Sequence, residues 1–160
     1  MKARKLWLGF IAVMVISFGV LLYYGKEIYR EAPPVPEKVV TESGQVLFTG
    51  QDIKDGQNVW QSVGGQELGT VWGHGAYQAP DWSADWLHKE AVFMLNQLAM
   101  ESEGVPYEQL SEEKQASLKV TLQKDLRTNT YDKESGTITV SDLRANAIES
   151  NSKFYGGLFT

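Results

Sequence analysis

One stretch of this 160-residue chain, "GTVWGHGAYQAPDWSADWLHKE", Gly69 to Glu90, gathers aromatic and titratable residues that could do chemistry. It holds both histidines, His74 and His88, three of the five tryptophans, and the carboxylates Asp81 and Asp85. A histidine–aspartate metal site is one chemistry such residues could support. The two histidines are fourteen apart, which matches no regular ligand spacing. Asp81 and Asp85 fall at i and i+4 where a helix would begin, and carboxylates there usually cap the helix or complement its dipole. His88 then reads as a surface or interface residue. Bis-histidine haem ligation would have to join His74 on a loop to His88 on a helix. A thioether-attached haem is excluded, because the chain has no cysteine. Ser83 and His88 are five apart, point away from each other on a helix, and have no third group to orient a base. "SVGGQELGT" lacks the lysine of a phosphate loop. What remains is packing: Trp60, Trp72, Trp82 and Trp86 as a core or an interface, each seeking one partner for its indole N–H.

These residues sit in a chain with two compositional parts. "MKARK" is basic, and Leu6 to Tyr24 then runs without a charge. About 20 apolar residues cross a bilayer. Trp7, Tyr23 and Tyr24 lie at the ends of the run, where amphipathic rings prefer the membrane–water boundary. The run is long for a cleaved signal, and "GKEIYREAPP" offers no small-residue cleavage site. Lys2, Arg4 and Lys5 are expected to stay in the cytoplasm, which puts everything after Tyr24 outside. The net charge of −5 and the lack of a basic stripe argue against a nucleic-acid partner.

The elements that must position the aromatic stretch follow from pattern. "APPVPEK" cannot be helical inside and reads as a stiff spacer. Thr49 with Asp52 predicts a capping box, and Ile53 and Trp60 share a face of the helix that follows. A glycine-rich loop runs through Pro80. A helix from about Asp81 carries the stripe Leu87, Ala91, Met94, Leu95 and Leu98, and "EGVP" ends it. Ser111 with Glu112 and Glu113 starts another helix, whose buried face is Leu118, Leu122 and Leu126. "NTYDKESGTITV" predicts a hairpin turning near Glu134 to Gly136. Ser141 caps a last helix through Leu143, Ala147 and Ile148. The chain stops at "FYGGLFT", neither a cap nor a polar tail, so a truncated C-terminus is expected.

"GQNVWQSVGGQELGTVWGHGAYQAPDWSADWLHKE" closely resembles the N-terminal extracytoplasmic region of quinol-dependent nitric oxide reductases, members of the haem–copper oxidase superfamily. The resemblance is strong from about Thr49 to Glu90 and fits the anchor, spacer and later helices. It implies a transmembrane helix leading into a cytochrome c-like domain that has lost its haem. The cytochrome subunit of two-subunit nitric oxide reductases explains the pattern. Gly56, Val59 and Trp60 match its frame before the haem motif, and Gly73, Gly75, Ala76, Tyr77, Ala79 and Pro80 match the frame after it. In between, Gly65 and Leu68 stand at the cysteine positions and Gly69 at the histidine position. A lost haem would leave a void that tryptophans could fill, Trp72 being one candidate. The resemblance also implies a calcium held in part by Gly75 and Tyr77, with the other ligands supplied by the rest of the enzyme.

The chain is therefore read as mainly α: a transmembrane anchor over 1–31, a linker over 32–48, and a cytochrome c-like helical domain with a small β-hairpin over 49–160. The resemblance implies the N-terminal part of a membrane enzyme that turns two nitric oxide molecules into nitrous oxide with electrons from quinol. Haem b, haem b3 and a non-haem iron would be bound by later helices, not by this chain. No catalytic or cofactor-binding residue is assigned in it; the domain would cap the catalytic bundle on the periplasmic side of the bacterial inner membrane. A stand-alone membrane-anchored binding or adaptor module is the alternative. Further hydrophobic spans with histidines after Thr160 would separate the two.

Overall fold

A computed structural model describes residues 2–71 and 80–158. It divides into two compact units, residues 1–35 and residues 36–160. The first is α1, Lys2–Glu31, a 30-residue helix. At ~1.5 Å per residue it extends about 45 Å, more than a hydrocarbon core needs. Within Ala3–Glu31 an 18-residue window has mean hydropathy 2.3, and the helix is long and apolar enough to cross a membrane. Apolar side chains stand out all along it, including Leu6, Phe10, Ile16 and Leu22.

The second unit is mainly α with a small sheet, as the sequence predicts. β1 (Lys38–Thr41) and β2 (Val46–Thr49) form an antiparallel hairpin. α2 spans Gly50–Ser62 and the single turn α3 Gly65–Leu68. α4 is the longest helix of this unit, Trp82–Glu103. α5 spans Glu112–Arg127, β3 Tyr131–Asp132, β4 Thr137–Val140 and α6 Asp142–Leu158. The predicted hairpin is present as β3–β4, antiparallel. The sheet is larger than that hairpin. Its order is β2-β1-β4-β3, with β1 parallel to β4 and Val39 opposite Ile138. Strands β1 and β2 thus lie largely inside the stretch expected to be a linker, 32–48. The β-branched pair Val39 and Val40 supports the pairing, and "ESGQ" supplies the turn.

Local signals place the helix ends. Thr49 and Asp52 form the reciprocal capping box: Asp52 Oδ2 accepts from the Thr49 amide at 2.7 Å, and Thr49 Oγ1 accepts from the Asp52 amide at 3.3 Å. Ser141 Oγ accepts from the Arg144 amide at 3.1 Å and donates to Asp125 Oδ2 at 2.7 Å, tying the start of α6 to α5. α4 ends at Gly104, left-handed at φ 70°, where a side chain would be strained.

Two apolar clusters hold the unit. Val39, Val140 and Ala145 join the sheet to α6, with Leu47, Phe48 and Ile138 against them. Met94, Leu122 and Ala147 join α4, α5 and α6, with Leu95, Leu126 and Leu143 around them. The predicted face of α5 is correct: Leu122 is buried, and Leu118 and Leu126 are half-buried. On α4 the expected stripe holds from Ala91 onward, with Met94 buried and Ala91, Leu95 and Leu98 half-buried, and only its first member departs. Leu87 is 52% exposed, whereas Glu90 is 2% exposed.

Candidate functional site

The site grows from the start of α4. Thr70 and Pro80–Trp82 run side by side: the Thr70 amide donates to the Pro80 carbonyl at 3.0 Å, and the Trp82 amide to the Thr70 carbonyl at 2.8 Å. Asp81 is the N-cap, accepting from the amides of Ser83 at 3.0 Å and Ala84 at 3.4 Å. Ser83 Oγ donates to the Val71 carbonyl. The chain is thus anchored on both sides of residues 72–79.

From there α4 presents Trp82, Asp85, Trp86, Lys89 and Glu90, spaced to share one face. α6 answers with Arg144, Asn151 and Tyr155. Arg144 Nε donates to Glu90 Oε1 at 2.7 Å, and Trp86 Nε1 donates to Glu90 Oε2 at 3.2 Å. Buried Asn151 donates from Nδ2 to the Trp86 carbonyl at 3.1 Å. The Tyr155 ring lies flat on Trp86, centroids 5.4 Å apart and planes within 9°. Trp82 meets Tyr155 edge-on at 6.1 Å. Tyr155 Oη donates to Asp85 Oδ2. Lys89 Nζ reaches both Asp85 oxygens, at 2.6 and 2.7 Å, and lies 4.8 Å from the Phe154 ring centre. The hydrogen bond from Lys89, and after it that from Tyr155, hold the Asp85 carboxyl below the usual carboxylate range. Burial, reinforced by the bond to Asp85, pushes the Tyr155 phenol well above its usual range.

Trp60 of α2 and Val71 close the cluster, lining with Trp82, Trp86 and Tyr155 a cleft of about 180 Å³. A second groove, about 400 Å³, runs along Trp82, Ser83, Trp86 and Leu87. Two glycines let the indoles in. A Cβ on Gly65 would overlap the Trp60 ring, and a Cβ on Gly69 would overlap the Trp82 ring.

The expected site residues distribute as follows. Asp81 is the cap its spacing suggested, and Asp85, in the first turn of α4, is in addition the ion-pair partner of Lys89. His88 is exposed on α4. Trp72, Gly73, His74, Gly75, Ala76, Tyr77 and Ala79 lie outside the described residues, so the calcium assignment of Gly75 and Tyr77 is an expectation that the geometry does not touch. Among the described residues, no group of three or more histidine, aspartate or glutamate side chains could hold a metal ion. Glu90, Arg144, Asn151 and Tyr155 escape sequence reasoning. The available signal is Arg144, Asn151 and Tyr155 at i, i+7 and i+11, a polar stripe on one face of α6.

The sequence model of the NorB cytochrome c-like domain of nitric oxide reductase matches residues 36–160. The chain belongs to that family. The match begins at the boundary of the second compact unit and takes in the β1–β2 hairpin. No curated protein matches the chain.

A cytochrome c-like domain raises the matter of haem, and the described residues do not fit a covalently attached one. No thiol is present for covalent attachment, and His88 faces solvent on α4. Gly65 and Gly69, which the resemblance places at a cysteine and the histidine, lie against the indoles of Trp60 and Trp82. An axial ligand or thioether there would meet a ring already in place.

Proposed function

We propose that this chain is the N-terminal part of a quinol-dependent nitric oxide reductase of the haem–copper oxidase superfamily. Its domain is a haem-free structural cap over the membrane-embedded part that reduces two nitric oxide molecules to nitrous oxide. One observation carries the cap role: indoles cover the two glycines where a cytochrome would attach and ligate its haem, so the scaffold serves as a packed surface rather than an electron carrier. Family membership supports the enzyme context. The apolar length of α1 supports membrane anchoring, and the basic first residues support a domain outside the inner membrane. Haem b, haem b3 and non-haem iron belong to the partner bundle, whose ligands this chain does not supply. Gly75 and Tyr77 are proposed to offer a carbonyl and a phenolic oxygen to a calcium completed by that bundle; Tyr77→Phe in the assembled enzyme tests this by metal content and electron delivery.

The test is purification of the tagged chain from mildly solubilised membranes of its host. The expected outcome is co-purification with haem b absorbance and quinol-driven nitric oxide consumption, while residues 36–160 alone show no Soret band. A chain that elutes without haem-bearing protein, or a domain that carries its own iron, overturns the proposal. The first of those results would favour the stand-alone binding module.

A further inference from the structure

The aromatic cluster contains the components of a radical site. Tyr155 and Trp86 are oxidisable rings in stacked contact, and each hands its one acidic proton to a carboxylate: Tyr155 Oη to Asp85, Trp86 Nε1 to Glu90. Trp82 extends the ring contacts edge-on from Tyr155. Removing an electron from a phenol is far easier when its proton can pass to an acceptor already within hydrogen-bond reach. Tyr107 and Tyr131 are half-buried like Tyr155. Tyr107 points its hydroxyl at the Gln115 carbonyl, 3.4 Å away, a neutral acceptor. Among the described residues, Tyr155 is the tyrosine bonded to a carboxylate.

We propose that Tyr155 is a proton-coupled oxidation and nitration site for reactive nitrogen oxides, with Trp82 and Trp86 as the surface through which the oxidant acts. The oxidant is nitrogen dioxide, the neutral radical formed when nitric oxide meets dioxygen. It accepts one electron from the ring and becomes nitrite, while the phenolic proton moves from Oη to Asp85 Oδ2. A second nitrogen dioxide then couples to the ring carbon next to the oxygen, forming the C–N bond. The proton on that carbon leaves to water as Asp85 returns the phenolic proton, giving 3-nitrotyrosine. The balance is one tyrosine and two nitrogen dioxide to one nitrotyrosine, one nitrite and one proton. The relevance of nitric oxide rests on the family; the site chemistry does not depend on quinol use or on the cap role.

The experiment treats the full chain, in detergent micelles, with peroxynitrite and bicarbonate as the source of nitrogen dioxide. Peptide mass spectrometry then gives the nitrated fraction at each tyrosine. Tyr155 is expected to exceed Tyr107 and Tyr131 several-fold, and Asp85→Asn to remove that excess. Because Asp85→Asn also releases Lys89, Asp85→Glu is the companion variant: restoring a carboxylate must restore the excess. Freeze-quench electron paramagnetic resonance with a photogenerated ruthenium(III) oxidant must show a tyrosyl signal that Tyr155→Phe abolishes. Equal nitration at the three tyrosines, an excess unchanged by Asp85→Asn, or a signal that survives Tyr155→Phe overturns the proposal.

Discussion

Glu90 divides its two oxygens between Arg144 of α6 and the indole of Trp86, and only 2% of it meets solvent. A carboxylate so placed is costly when left alone: deleting one partner of a buried pair typically costs about 3–5 kcal/mol. Arg144→Ala should therefore lower unfolding free energy by about 3 kcal/mol in urea titration, despite removing a half-exposed side chain. Replacing both residues together by leucines should cost much less, because no orphaned charge remains. Equal losses for the single and double variants would show that Arg144 matters by packing alone. Asp85 and Tyr155 set opposite pH limits on the same cluster. The folded carboxyl of Asp85 is depressed, so its contribution is present above about pH 4 and is lost as pH falls below that. The folded phenol of Tyr155 is raised, so its contribution is present below about pH 10 and is lost as pH rises further. The stability difference between wild type and Asp85→Asn should shrink on acidification. Tyr155→Phe should remove that alkaline loss, as followed by near-ultraviolet circular dichroism.

Helix capping and apolar periodicity are legible at the level of elements wherever the determinants are local. Thr49 with Asp52, Ser141 with the Arg144 amide, and the Leu118–Leu122–Leu126 stripe each involve residues within two or three turns. β1 is not legible, because its partner β4 lies about a hundred residues away and each strand has four residues, too short for alternation to stand out. The burial of Glu90 rather than Leu87 near the start of α4 is hidden because the hydrophobic stripe ranks Leu87 above Glu90. The actual face is decided by Arg144 and Asn151 on α6, which the α4 sequence does not contain. The glycine–tryptophan contacts are half legible: Gly65 and Gly69 stand out as replaced positions, but which indoles cover them is tertiary information. Those contacts make a paired prediction. Gly65→Ala drives a methyl group into the Trp60 ring and should destabilise the fold by about 1–3 kcal/mol, the usual cost of overpacking. Adding Trp60→Leu should recover part of that loss relative to Trp60→Leu alone, and a double-mutant cycle in thermal or urea unfolding reads the coupling. Strict additivity would mean that the ring moves away without resistance.

At the scale of the whole molecule, charge is divided as unevenly as hydropathy. Of 15 cationic and 20 acidic side chains, five and two lie before Pro36, which leaves ten against 18 in the domain. The anchor is thus net positive and the domain net negative, with Lys2, Arg4 and Lys5 packed at the extreme N-terminus. Clustered cations before an apolar span hold that end in the cytoplasm, and a following domain of mixed charge is carried across. The absence of cysteine makes this topology directly measurable, because a single introduced thiol has no competitor. Ser152→Cys, exposed on α6, should react with a membrane-impermeant maleimide when the reagent reaches the outer face of the inner membrane. Ala3→Cys, on the N-terminal side of the span, should react only after the inner membrane is made permeable. The reverse pattern would put the domain inside the cell and detach it from any periplasmic surface of a reductase. Equal labelling of both sites with the inner membrane intact would show that α1 does not span it. Changing Lys2, Arg4 and Lys5 together to neutral residues should lower the outside-labelled fraction of Ser152→Cys. That result would trace the orientation to three side chains at one end of the chain, apart from the net-negative domain beyond Pro36.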